Sequence, residues 1–162
     1  MAEITHSRHS VGGSNYHLQF TPKYRRGVFK DDQIRAECKR LAYEKAVQLK
    51  LDIGAIEFGP DHMHMFVTGC RKYSVPKLAQ YFKGYISRHI RMNLPDNLKP
   101  YLWGDSFWTD GYFYESIGRV TADSVKFYIE RQQKKHWVGV DYEIYAEGVG
   151  KKQKKLEDFF AS

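Results

Sequence analysis

The stretch from Ile53 to Thr68 constrains the fold more than any other part of the chain. Ile53 to Phe58 is a short apolar run, Gly59-Pro60-Asp61 is a turn, and His62 to Thr68 is a second run rich in strand formers. Together they predict a β-hairpin. Side chains alternate faces along a strand, so His62, His64 and Phe66 share one side while Met63, Met65 and Val67 share the other. The methionine side reads as core. Two imidazoles one residue apart on the remaining side can ligate a single cation, or can be solvated polar groups on a half-exposed strand. As ligands they are incomplete, since structural metal sites close with four protein groups and catalytic ones keep positions open for water or substrate. A third group has to come from elsewhere in the chain.

The flanking segments extend the hairpin into a domain. Asn15 to Thr21 alternates Tyr16, Leu18 and Phe20 against His17, Gln19 and Thr21, a half-buried strand that Pro22 ends. Asp31 or Asp32 caps a helix running to about Lys50, with Ile34, Cys38, Leu41, Ala42 and Leu49 on one stripe. Ser74 and Pro76 open a second helix to about Met92, its inner face Leu78, Phe82, Tyr85, Ile86 and His89. Pro95 to Pro100 reads as a loop, and Trp103 to Ser116 as a fourth strand or a bulged strand pair interrupted at Asp110-Gly111. Strand, helix, strand, strand, helix, strand is the split β-α-β order of an α+β, ferredoxin-like fold, an antiparallel sheet with helices on one face. The methionines then face the helices and the two histidines the open face, within reach of a substrate. After Gly118, Thr121 caps a third helix that carries Tyr128 and Gln132 at i and i+4, on one side and about a turn apart. By spacing alone Tyr128 is as readily a core aromatic.

At 162 residues the chain suits one domain that buries roughly two-thirds of its unfolded surface. Cys38 and Cys70 lack metal-knuckle spacing and read as reduced thiols. No apolar run approaches membrane-spanning length and the polar start is unlike a signal peptide, so the expectation is a cytoplasmic, nucleoid-associated protein with no membrane partner. The net charge is +7, and 20 basic against 14 acidic side chains through Gln133 place nearly all the excess in the domain. With 15% aromatic residues, that balance favours a nucleic-acid partner. Candidate contacts are the loop Lys23, Tyr24, Arg25 and Arg26 and a track on the second helix through Lys77, Lys83, Arg88 and Arg91. Each also reads as a solvated basic surface.

Tyr16-His17, Lys23-Tyr24-Arg25, Pro60-Asp61-His62-Met63-His64, the segment from Trp103-Gly104 to Phe113, and Tyr128 with Gln132 together resemble the HUH single-tyrosine transposases of bacterial and archaeal insertion sequences. The resemblance covers about residues 10 to 135 and implies the ferredoxin-like domain read above, with a C-terminal tyrosine-bearing helix. It implies cutting and rejoining of single-stranded DNA at transposon ends through a 5′-phosphotyrosine, with Tyr128 as the nucleophile. His62, His64 and, by resemblance, Gln132 would hold Mg²⁺ or Mn²⁺. Hairpins near the transposon ends would be the DNA recognised. A homodimer is implied too, with Tyr128 able to act opposite the histidines of the other protomer and Gly118 as the hinge.

Residues 1–136 are thus expected to form the transposase domain and 137–162 an extension. Within the extension, residues 153–160 fit the box Gln-x-x-aliphatic-x-x-aromatic-aromatic that docks on PCNA-type sliding clamps. Leu156, Phe159 and Phe160 would form an apolar plug and Gln153 would enter a polar pocket. Folding of the two phenylalanines back onto the domain is the alternative; a used box points to a prokaryotic, archaeal host. Other functions compatible with the same residues are a domesticated relative, a replication or conjugation nickase, and a non-catalytic RRM-like module using its aromatic sheet for RNA.

Overall fold

The computed structural model describes residues 5–6, 8–23, 27–102 and 104–117. Its elements are β1 (Thr5–His6), β2 (Val11–Gly12), β3 (Asn15–Phe20), a 3-10 turn (Val28–Lys30), α1 (Asp32–Leu49), β4 (Asp52–Gly59), β5 (His62–Thr68), α2 (Val75–Asn93), α3 (Pro95–Leu98) and β6 (Phe113–Ile117). Strands β3 to β6 form one antiparallel sheet in the order β4-β5-β3-β6. β5 lies between β3 and β4, the two strands that α1 joins, which is the split β-α-β arrangement. The expected ferredoxin-like α+β fold is the fold observed. β1 and β2 pair in a separate ribbon that no alternating run in the sequence announces.

Local chemistry sets the boundaries. The Asp31 carboxylate accepts from the backbone N–H groups of Gln33 and Ile34 at 2.9 and 3.2 Å, which starts α1. The helix ends where Lys50 turns left-handed at φ 57°. At α2, the Ser74 hydroxyl accepts from the Lys77 N–H and Pro76 occupies the first turn. Both helices pack on one face of the sheet, and the core lies between. Met63, Met65 and Val67 are fully buried there with Leu18 and Phe20 of β3 and Leu41, Phe82 and Ile86 of the helices. Each buried methionine contributes about 2 kcal/mol of apolar burial. The alternation of β5 then delivers His62, His64 and Phe66 to the opposite face.

Several details differ from the pattern-based expectation. On α2, Ala79 and Ile90 join the core, while Tyr85 and His89 are only half-buried. The Tyr85 hydroxyl instead reaches α1, donating to the Glu44 carboxylate and accepting from Gln48. On α1, Ala46 rather than Leu49 completes the buried stripe. Pro95–Leu98 is a single helical turn, not a loop. The strand expected from Trp103 to Ser116 is shorter: β6 spans only Phe113–Ile117, preceded by one isolated bridge at Trp108. The ladder of β6 on β3 stops at Gln19 with Phe113, and resumes where Pro22 bridges Trp108 and the Thr109 N–H donates to the Thr21 carbonyl at 2.9 Å. Asp110 to Tyr112 loop out between. Cys38 and Cys70 are free and buried, and burial pushes the Cys70 thiol up to about 12.

Candidate active site

On the face away from the helices, β5 presents His62 and His64, and β3 beside it presents His17. Gln19 stands opposite His64 and His17 opposite Phe66 in the ladder, so His17 and His64 are diagonal neighbours. Their rings stack with centroids 5.2 Å apart, and His17 Nε2 lies 3.0 Å from His64 Nδ1. The His62 ring meets His64 edge to face at 4.5 Å. On the far side, His17 Nδ1 lies 3.7 Å from a carboxylate oxygen of Glu115 on β6, and the Phe113 ring meets His17 edge-on at 5.9 Å.

The histidines occupy the predicted face, but it is not an open one. His62, His64 and His17 are 8%, 4% and 7% exposed. Rings on neighbouring strands are close enough to pack on one another, and alternation along a single strand carries no information about that.

Two further residues orient His62. The Asp61 carboxylate lies 2.9 Å from His62 Nδ1. A carboxylate oxygen accepts, so in the neutral ring Nδ1 carries the hydrogen and the lone pair sits on Nε2. Gly59 pairs with His62 across the hairpin, and a β-carbon at Gly59 would overlap the imidazole. Glycine is needed there for the close approach of a ring, not for an unusual backbone angle.

Among the described residues no group of three or more His, Cys, Asp or Glu side chains could hold a metal ion. His62 and His64 could supply two imidazole nitrogens, which suit a divalent ion when oxygen ligands complete the set. Any third His, Cys, Asp or Glu ligand would come from outside the described residues. Tyr128 and Gln132 lie there, as do Tyr24, Arg25 and Arg26, the clamp-box residues Gln153, Leu156, Phe159 and Phe160, and the expected boundary near residue 136.

The other candidate DNA contacts can be placed. Lys23 begins the basic loop, with its N–H donating to the Phe107 carbonyl at 2.8 Å. The Lys83 ammonium is engaged within the fold: it donates to the carbonyls of Thr109, Asp110 and Gly111 at 2.6, 3.2 and 3.2 Å. Burial lowers its pKa, with Asp110 opposing. Lys83 therefore ties down the loop that enters β6. Arg91 similarly donates to the Gly104 carbonyl, whereas Arg88 and Lys77 are exposed. No described helix is long and apolar enough to cross a membrane.

Sequence reasoning named His17 only as part of a motif and did not single out Glu115. The signal was present, since His17 falls on the polar side of its strand, but the register joining it to His64 is a tertiary fact.

The family model described as "Transposase IS200 like" matches residues 10–132. The ISDra2 transposase TnpA of Deinococcus radiodurans is 28% identical over 82% of this chain and 94% of its own length. The transposase for insertion sequence element IS200 of Salmonella typhimurium is 30% identical over 84% of this chain and 88% of its own. Among solved structures, a proposed transposase from Deinococcus radiodurans R1 superposes with a TM-score of 0.64 at 26% identity, covering 80% of this chain and 98% of that one. A REP-associated tyrosine transposase bound to a REP hairpin shares the fold, with a TM-score of 0.56 at 16% identity over 83% and 75% of the two chains. With the matched region spanning every strand and helix of the sheet domain and both histidines of β5, the chain belongs to the IS200-like transposase family.

Proposed function

We propose that this transposase cuts and rejoins single-stranded DNA at the ends of its insertion sequence through a covalent 5′-phosphotyrosine, with Tyr128 as the nucleophile. The observation that carries the proposal is the histidine pair. His62 and His64 meet at 4.5 Å on one strand, with the δ nitrogen of each beside a neighbouring side chain.

The Tyr128 phenol gives up its proton as its oxygen bonds to phosphorus, the bond from phosphorus to the 3′ oxygen breaks, and that oxygen takes up a proton and departs as a hydroxyl. The phosphotyrosine retains the bond energy, so a 3′-hydroxyl from another end can reverse the step without nucleotide fuel. His62, His64 and Gln132 would hold Mg²⁺ or Mn²⁺, nitrogen and amide-oxygen donors without a thiolate. When bound, the ion neutralises phosphate charge and orients the leaving oxygen, which helps a phenol of ordinary pKa near ~10 react at neutral pH. Asp61 holds the His62 ring in the tautomer such a role requires.

Excision needs cuts at two ends and each chain brings one candidate tyrosine, so the working unit is a homodimer, with Tyr128 of one protomer able to serve the histidines of the other. The DNA is recognised as hairpins near the ends, a reading supported by the REP hairpin bound to the structural relative. The loop from Lys23 to Arg26 and the exposed Arg88 are the contacts offered. Gln153, Leu156, Phe159 and Phe160 dock on a PCNA-type sliding clamp, which brings the enzyme to replication forks where single strands arise. Pull-down by such a clamp, lost in Phe159→Ala, checks that part.

The central test incubates the protein and Mn²⁺ with labelled single-stranded oligonucleotides from the element's ends. An SDS-resistant adduct is expected, and Tyr128→Phe and His64→Ala should each abolish it. Binding of the true end with no adduct would overturn the proposal.

A further inference from the structure

We infer that Glu115 and His17 form a two-residue relay that sets which nitrogen of His64 carries the lone pair, making both positioning residues for the metal site; this rests on His64 being a metal ligand. Three groups stand in line across three strands. The Glu115 carboxylate on β6 is 3.7 Å from His17 Nδ1, and His17 Nε2 is 3.0 Å from His64 Nδ1. The strand register imposes the line, since Glu115 pairs directly with His17 across the β3–β6 ladder.

Each imidazole between neutral partners could hold its hydrogen on either nitrogen, so a histidine pair alone has two opposite arrangements. The carboxylate removes the symmetry. A lone pair on His17 Nδ1 would face negative charge, so His17 places its hydrogen there and its lone pair on Nε2. That lone pair accepts from Nδ1–H of His64, which leaves the His64 lone pair on Nε2. In the opposite arrangement His64 carries hydrogen on Nε2 and cannot ligate through it. Asp61 does for His62 in one step what Glu115 does for His64 in two. Both follow the rule that a ligating histidine donates its other ring hydrogen to an acceptor that fixes the tautomer. The low exposure of all three rings keeps water from replacing His17 as that acceptor.

The test titrates the full-length protein with Mn²⁺ alone, reading free ion by electron paramagnetic resonance, and records the histidine tautomers of the metal-free protein by ¹⁵N NMR. Wild type should show His64 as the Nδ1–H tautomer, and His64→Ala should lose specific Mn²⁺ binding. His17→Phe should weaken binding by about 10- to 100-fold, the range typical for outer-shell partners of metal-bound histidine. His17→Gln, whose amide oxygen can still accept, should recover part of that loss. Glu115→Gln, which keeps the shape of the site, should shift His64 toward the Nε2–H tautomer. Wild-type affinity in His17→Phe alongside loss in His64→Ala would overturn the relay, as would a wild-type His64 already in the Nε2–H form. Mn²⁺ binding that ignores His64→Ala would instead sink the metal assignment itself, and the relay with it.

Discussion

The imidazole of His62 lies over Gly59, its partner across the β4–β5 hairpin, closely enough to exclude a β-carbon. Turn, strand pairing and candidate ligand are thereby one unit, and a single methyl group is enough to test it. Gly59→Ala should displace the ring and lower Mn²⁺ affinity about tenfold, with a loss of stability of about 1–2 kcal/mol from the overpacking. Gly54→Ala is the control, because a β-carbon there would meet the Phe66 ring on the same strand face. It should cost similar stability in a urea melt while leaving Mn²⁺ affinity nearly unchanged.

Lys83 and Arg88 stand on one helix with opposite expected phenotypes. Lys83→Met removes an ammonium shared by three carbonyls and should destabilise the domain by about 1–2 kcal/mol, with little change in the salt dependence of DNA binding. Arg88→Ala should leave the thermal midpoint alone. If Arg88 contacts a phosphate, the slope of log affinity against log salt for a single strand should fall by about 0.7. Fluorescence anisotropy at several salt concentrations separates the two.

Acid should loosen the helix layer through Glu37. Its carboxylate accepts from Arg40 at 2.6 Å and from Asn93 of α2 at 2.8 Å. Arg40 above all holds its pKa below the usual 4.5, burial opposes, and Asn93 adds to the lowering. A depressed folded pKa means stability that is present above pH 4.5 and lost as pH falls through the lower folded value. Arg40 is half exposed, which holds the contribution to about 0.5 kcal/mol. Glu37→Gln should therefore be less stable than wild type by that amount near neutrality, and the gap should narrow in acid, as pH is taken below 4.5. Urea midpoints near neutrality and in acid measure it.

Lys50 ends α1 in the left-handed region at φ 57°, where a β-carbon is unfavourable and glycine is the usual choice. Lys50→Gly should raise stability by about 0.5–1 kcal/mol with Mn²⁺ binding unaffected. Thermal melts check the first part and the spin titration the second.

The elements were legible because their signals are local. Alternation in Asn15–Phe20 and His62–Thr68, the Asp31 and Ser74 caps and the Gly59-Pro60-Asp61 turn each act within a few residues, and so did the inward methionines and outward histidines of β5. Tyr85 and His89 read as core for the same reason in reverse and are only half-buried. They lie at the margin of the apolar stripe of α2, and only the position of α1 decides that the Tyr85 hydroxyl pairs with Glu44 and Gln48.

What the sequence by itself determined was the order of strands and helices, the face of each strand, and the pair of imidazoles one residue apart. What only the tertiary structure decided was the company those imidazoles keep. His17 and His64 are 47 residues apart in the chain and meet because β3 pairs with β5 in one register. A slip of one residue would send His17 to the core face. Strand pairing is set by the summed burial of Leu18, Phe20, Met63 and Met65 on the far side of the sheet, a cooperative property that no single stretch of sequence carries.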